Sequence, residues 1–230
     1  TKGDSIVLLI GGGVPNATPV CEYVGFDFAI SEEESAQTVA SAKYGANNTP
    51  VLLSDVIVTA VFPDCVYVEQ ADRVCGIKVK GSMSVSVGQM ITVGGSTDTE
   101  NGEKILRLGG YEVVGIGTIR PVGLINRAAG GGDWNYSSLT GIGQQGIDGG
   151  RGLNNIGLLG KVWGKATPIN SPSFTIDDGS GHALKVVVPD GVSVPGVNEF
   201  VSVTGISSCE LAGSNVHSVV RVRTHADIQL

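Results

Sequence analysis

Apolar and polar residues alternate at a period of two along most of the chain, and short breaks rich in Gly, Ser or Pro cut the alternation into segments. This is the pattern of strands that turn one face inward. The frequent Val, Ile and Thr suit a pleated, half-buried surface. A first set of predicted strands is Val51–Val61, Val66–Glu69, Gly76–Val79, Met90–Gly94 and Ile105–Val114. A second set is Leu158–Lys165, Ser173–Ile176, Leu184–Val188, Phe200–Gly205 and Val216–Arg223. The sets repeat one another, because Met90-Ile91-Thr92-Val93-Gly94-Gly95 aligns with Phe200-Val201-Ser202-Val203-Thr204-Gly205 at an offset of 110 residues. In each half a long strand precedes a tight hairpin, a loop, a fourth strand and a long last strand. The hairpin loops fall at Gln70–Arg73 and Asp177–Gly181, and Asp-Gly and Ser-Gly steps supply the positive φ such turns need.

One helix interrupts this pattern. Ser31 with Glu34 makes a capping box, Glu32, Glu33 and Glu34 favour the positive end of the helix dipole, residues Ala36 to Tyr44 continue it, and Gly45 stops it. Residues 115–153 hold 12 glycines and read as a long connection, pinned by Trp134, Tyr136 and Leu139.

Five strands in this order predict a small Greek-key barrel in each half. The run Val58-Thr59-Ala60-Val61-Phe62, with Tyr67-Val68-Glu69 and Val74-Cys75-Gly76-Ile77-Lys78-Val79, resembles OB-fold repeats of secreted bacterial proteins. Gly160-Lys161-Val162-Trp163-Gly164-Lys165, Phe174-Thr175-Ile176-Asp177-Asp178-Gly179-Ser180-Gly181 and Val203-Thr204-Gly205 resemble a plainer OB-fold. The resemblance covers about residues 46–115 and 153–230. It departs from the usual OB pattern at one place: no helix fits between the third and fourth strands, because Lys80–Gln89 is too short and Val188–Glu199 carries Pro189 and Pro195. The expected fold is all-β, two tandem five-stranded OB-like Greek-key barrels with an N-terminal strand and one short helix. The expected organisation is an N-terminal segment with the helix at 1–45, a first barrel at 46–114, the Gly-rich connection at 115–152 and a second barrel at 153–230.

Composition narrows the function. Apolar residues are 41 % and charged residues 16 %, which suits a packed core rather than a charged disordered chain. No apolar run reaches the roughly 18 residues of a membrane helix. A net charge of −7 argues against nucleic acid as a partner, since phosphate affinity comes mainly from Lys and Arg. An OB-type ligand face would use Tyr67 with Arg73, Lys78 and Lys80 in the first repeat and Phe174 with Lys185 in the second, although Tyr67 and Phe174 read first as barrel core or packing residues. Aromatics are only 5 % of the chain, so such a face fits an oligosaccharide better than single-stranded nucleic acid.

Catalytic motifs are weak. Gly141-Ile142-Gly143-Gln144-Gln145-Gly146 has the GxGxxG spacing but neither a preceding strand nor a following helix. His182, His217 and His225 lack metal-ligand spacing, and no serine sits in a GxSxG elbow. The Asp177–Gly181 carboxylates read as a hairpin turn rather than a calcium loop. The expectation is a non-enzymatic protein without metal or cofactor.

Four cysteines, Cys21, Cys65, Cys75 and Cys209, form no CxxC pair. An even count suggests two disulfides in one of three pairings, of which Cys65–Cys75 with Cys21–Cys209 is preferred, and an oxidising location outside the cell or at its surface; the alternative is four buried free thiols. A start at Thr1 without an initiator Met fits a mature chain whose leader has been removed, or a shortened one.

The most informative stretch is Ile6, Val7, Leu8, Leu9 and Ile10, followed by Gly11-Gly12-Gly13. Five consecutive apolar residues suit a strand covered on both faces, and the glycines make a flexible joint. Such a strand resembles the donor strand of a pilus subunit, which pairs with a neighbour's sheet edge. The alternative is an ordinary first strand packed on its own chain. Donation at one end and acceptance at another makes a head-to-tail contact that grows into open filaments. The expected function is therefore a secreted structural subunit whose partners are copies of itself. The alternative is a non-polymerising OB-fold binding module for a surface oligosaccharide or, ranked below it, single-stranded nucleic acid.

Overall fold

The computed structural model describes residues 37–169 and 172–230. The predicted donor strand Ile6–Ile10, Cys21 and the helix start at Ser31–Glu34 lie outside the described residues.

Helix α1 (Val39–Tyr44) starts later than predicted, because Gln37 bridges Leu53 and extended Thr38 is the N-cap: its hydroxyl accepts the Ser41 N–H at 3.0 Å while the Ser41 hydroxyl accepts the Thr38 N–H at 3.0 Å. It stops at Gly45, as predicted, where the Gly45 N–H reaches back to Ser41 O and Ala42 O. Val39 and Ala42 enter the core of the first sheet, so the helix packs on that sheet.

The strands are β1 (Pro50–Phe62), β2 (Cys65–Glu69), β3 (Gly76–Lys80), β4 (Gln89–Glu100), β5 (Glu103–Ile116), β6 (Val122–Gly123), β7 (Leu159–Pro168), β8 (Ser173–Asp177), β9 (Leu184–Val187), β10 (Phe200–Ala212), β11 (Asn215–Arg221) and β12 (Ile228–Gln229). Every strand predicted from the alternation is present. β4 and β5 outrun their predicted lengths because Asn101 (φ 53°) and Gly102 (φ 82°) form a two-residue turn between Glu100 and Glu103. Both central residues of that turn take positive φ, which matches the twist of the flanking strands.

The first sheet, in the order β1-β2-β3-β5-β4, closes into a barrel. Its neighbours are antiparallel except for the parallel pair β3–β5. The second sheet has the order β12-β10-β11-β9-β8-β7-β6, with β10 also paired to β7. That extra pairing gives β7-β8-β9-β11-β10 the same ring of neighbours, and β9–β11 is again parallel. Among the described residues no helix stands between β3 and β4 or between β9 and β10, in agreement with the short and proline-bearing loops there.

Inward-facing apolar side chains fill both sheets. Leu53, Val58, Val68, Ile77, Val93 and Leu106 pack in the first, and Val162, Phe174, Ile176, Leu184, Val203 and Val220 in the second. β2 is buried on both faces. Its Val66 and Val68 point into the first core, while Cys65 and Tyr67 join Ala60, Leu159 and Ile206 in a separate cluster shared by the two halves. Gly76 and Gly157 let two backbones meet there, since a Cβ on Gly76 would lie 2.2 Å from the Gly157 carbonyl oxygen.

The register overturns the predicted Cys65–Cys75 disulfide. Cys65 pairs with Lys80 at one end of the β2–β3 hairpin, whereas Cys75 precedes Gly76, which pairs with Glu69 at the other end. Four strand residues at ~3.3 Å each separate those ends by ~13 Å, and a disulfide needs Cα atoms within about 7 Å. Cys65, Cys75 and Cys209 are all free and buried, and Cys21, the expected partner of Cys209, lies outside the described residues.

Candidate functional site

The residues proposed for a ligand face do not form one. Phe174 lies wholly inside the second core, and Tyr67 and Lys78 are buried between the halves. Only Arg73 is exposed, and it donates to the Arg120 carbonyl at 2.9 Å. Stacking on a base or sugar needs an accessible ring face, which neither Tyr67 nor Phe174 offers.

Tyr67 and Lys78 instead meet at a buried polar junction. The Tyr67 hydroxyl donates to Glu103 Oε2 at 3.0 Å and lies 3.3 Å from Ser208 Oγ. Ser208 Oγ also donates to Glu103 Oε2, at 3.1 Å, and Lys78 Nζ sits 2.5 Å from the same oxygen. One carboxylate thus gathers two residues of the first sheet and one of the second. Burial, then the charge of Glu103, pushes the Tyr67 phenol well above its ordinary pKa, so it stays a donor.

Around this centre, Lys43 Nζ donates to Ile156 O at 2.6 Å and Arg223 Nη1 to Thr59 O at 2.9 Å. Glu69 accepts the Leu159 N–H through Oε1, while its Oε2 has no partner. Burial raises the Glu69 carboxyl to about 7. The same cause lifts Cys65 to about 11 and Cys209 to about 12, which keeps both thiols protonated and inert at neutral pH. This junction is closed to solvent and joins the halves.

The connection after β5 drapes over the unit. Trp134 packs against the first core, and Gln144 bonds the Gly102 carbonyl and the Lys104 N–H at the β4–β5 turn. Leu139, predicted to help pin this segment, is 96 % exposed and holds nothing. The Gly141–Gly146 run is loop, with the Gly143 N–H bonded to the Tyr44 carbonyl. With the β10–β11 turn, the connection lines a polar cleft of about 250 Å³ that includes Asp133, Tyr136, Asp148 and Asn215. The Asp177–Gly181 turn uses its carboxylates on its own backbone, at 2.8 Å to Gly179 N and 2.9 Å to Ser180 N. Among the described residues no three His, Cys, Asp or Glu side chains converge on a metal-sized point.

The feature that sequence reasoning missed is the outer edge of β5. β3 pairs with β5 only over Ile105–Arg107. From Leu108 to Ile116 that edge has no ladder partner among the described residues, although β4 flanks the other side throughout. This run exposes Tyr111 (38 %), Val113 (42 %), Val114 (46 %) and Ile116 (86 %). The signal was an alternation-poor stretch, Gly109-Gly110-Tyr111-Glu112-Val113-Val114, which reads as strand without showing which edge stays open. An exposed apolar edge is a template for pairing with another chain.

Compared with models of known protein families, with curated proteins and with solved structures, the chain matches none.

Proposed function

We propose that this chain is a structural subunit that polymerises head to tail into an extracellular, pilus-like filament by donating its N-terminal strand. The observation that carries the reading is the unladdered, apolar edge of β5 on a chain whose sequence also carries the apolar run Ile6–Ile10 followed by three glycines. A free edge supplies backbone donors and acceptors, and the strand supplies their complement. Burying four or five large aliphatic side chains at ~1.5–3 kcal/mol each gives a gross ~6–15 kcal/mol, of which association entropy consumes a sizeable share. The buried junction suits the role, because a filament subunit passes load between its halves. The ring orders of the two sheets support reading each half as an OB-like barrel, with the helix between third and fourth strands lost. Placement outside the cell belongs to this proposal and takes no support from the free cysteines.

Electron microscopy of the purified full-length chain tests it. Fibres of regular repeat are expected, and deletion of Thr1–Ile10 leaves a folded protein that forms none. Fibres from the truncated chain overturn the reading.

The polar cleft favours a second reading, a module for a surface glycan. Its size suits one sugar ring, and its carboxylates, amide and phenol suit hydroxyl groups. A calorimetric titration with monosaccharides that gives saturable heat, lost in Asp148→Ala, supports that reading.

A further inference from the structure

We propose that the outer edge of β5 is the acceptor, and that its occupant is the strand Ile6–Ile10 of a second copy of this chain. This rests on the strand-donation reading and specifies where the strand goes.

The backbone gives the first argument. The open edge begins where the β3 ladder ends at Arg107 and finishes where the Gly117 N–H bonds the Gly88 carbonyl at 2.8 Å. Residues 82–87 run beside it, yet among the described residues they share no backbone bond with it. Their link is the Ser84 N–H donating to the Tyr111 hydroxyl at 3.0 Å. No ladder has to break for a strand to add. Tyr111, Val113 and Val114 are exposed along this edge, so an added strand has apolar side chains to cover.

Side-chain seating gives the second argument. Leu52 pairs with Gly94, and Gly94 with Gly110, which makes one cross-strand row that ends at the open edge. Leu52 is 52 % exposed, so this row lies on the outer face. A Cβ on Gly110 would meet nothing within 4 Å, and one on Gly94 would make ordinary contacts, at 3.4 Å with the Leu52 side chain and 3.8 Å with the Val51 carbonyl oxygen. Two absent side chains leave a trough between Leu52 and the edge. The next position in the row belongs to the added strand, and a large aliphatic side chain there lies across both glycines onto Leu52. Ile6, Leu8 and Ile10 share one face of an extended strand, so one of them takes the seat. Val7 and Leu9 then fall on the opposite face, with Tyr111 and Val113. Ser5–Gly11 carries no charge, and Glu112 is the single charge between Leu108 and Ile116, so pairing buries little ionic surface.

The test is Gly110→Val in the full-length chain, which the open space around Gly110 accommodates. The expected result is an unchanged melting temperature with association weakened about tenfold or more, read as polymer pelleted at fixed concentration. Adding Ile6→Ala, Leu8→Ala or Ile10→Ala in turn restores assembly for the residue that holds the seat. Hydrogen exchange on the wild type gives an independent readout: the amides within Gly109–Val114 that point to the open edge, away from β4, become protected in polymer and not in chains lacking Thr1–Ile10. If Gly110→Val polymerises like the wild type and these amides stay unprotected, while the Thr1–Ile10 deletion still blocks assembly, the acceptor lies elsewhere and this proposal fails alone. If the deletion does not block assembly, the donor reading itself fails.

Discussion

Glu103→Ala is the sharpest probe of how the two halves hold together. Glu103 Oε2 receives the Tyr67 and Ser208 hydroxyls at 3.0 and 3.1 Å and the Lys78 ammonium at 2.5 Å, and both charged side chains are almost wholly buried, at 8 % and 2 % exposure. Removing the carboxylate leaves the Lys78 charge buried without its counter-ion and two hydroxyls without their acceptor. Loss of one partner of a buried pair costs about 3–5 kcal/mol. For a unit of this size each kcal/mol moves the melting temperature by roughly 2–4 °C, so a fall of about 6–20 °C is expected. The double variant Lys78→Met/Glu103→Leu replaces both charges with apolar groups of similar length and should come within about 1–2 kcal/mol of the wild type, or exceed it. Chemical denaturation of the three proteins at one pH measures all of this. A single-variant cost below about 1 kcal/mol, the range of exposed ion pairs, would refute a desolvated junction.

Glu69 gives a pH dependence of defined sign. Its folded carboxyl titrates near 7, above its ordinary 4.5, so between those values the folded state holds the extra proton. Stability is then full below about pH 4.5 and falls by on the order of 3 kcal/mol as pH rises to about 7, a slope that Glu69→Gln should flatten. Thiol labelling in denaturant without reductant should modify Cys65, Cys75 and Cys209, while the native protein resists. Full protection in denaturant would restore the disulfide reading. Gly76→Ala drives a Cβ to 2.2 Å from the Gly157 carbonyl oxygen and should destabilise by more than about 2 kcal/mol; a silent variant would show that the halves do not meet there. Phe174→Ala should cost about 3–5 kcal/mol as a core cavity, and a stable Phe174→Ala protein would place the ring outside the core.

The strands were legible because alternation reports which face of each sheet is inward. The same rule makes the predicted Met90–Gly94 shorter than β4, since Ser96, Thr97, Asp98, Thr99 and Glu100 extend the strand with few apolar residues, and the Asn101-Gly102 turn marks its end. The junction was not legible. Period-two reasoning sends Tyr67 and Lys78 outward from their own sheet, toward solvent or a ligand. Nothing local says that the second half covers that face. β2 carried a partial signal, because Cys65-Val66-Tyr67-Val68 is apolar at consecutive positions, as a strand buried on both faces should be. The open edge of β5 was hidden for a related reason. Whether a strand has one neighbour or two depends on where β3 ends, and that is set by pairing across the barrel.

A helical reconstruction of the native assembly at side-chain resolution addresses strand donation most directly. The account predicts an added strand, traceable as Ile6–Ile10 of a neighbouring copy, along β5 from Leu108 to Val114 with an aliphatic side chain over Gly110 and Gly94. A β5 edge facing solvent throughout the assembly, with Ile6–Ile10 packed on its own chain, would contradict it.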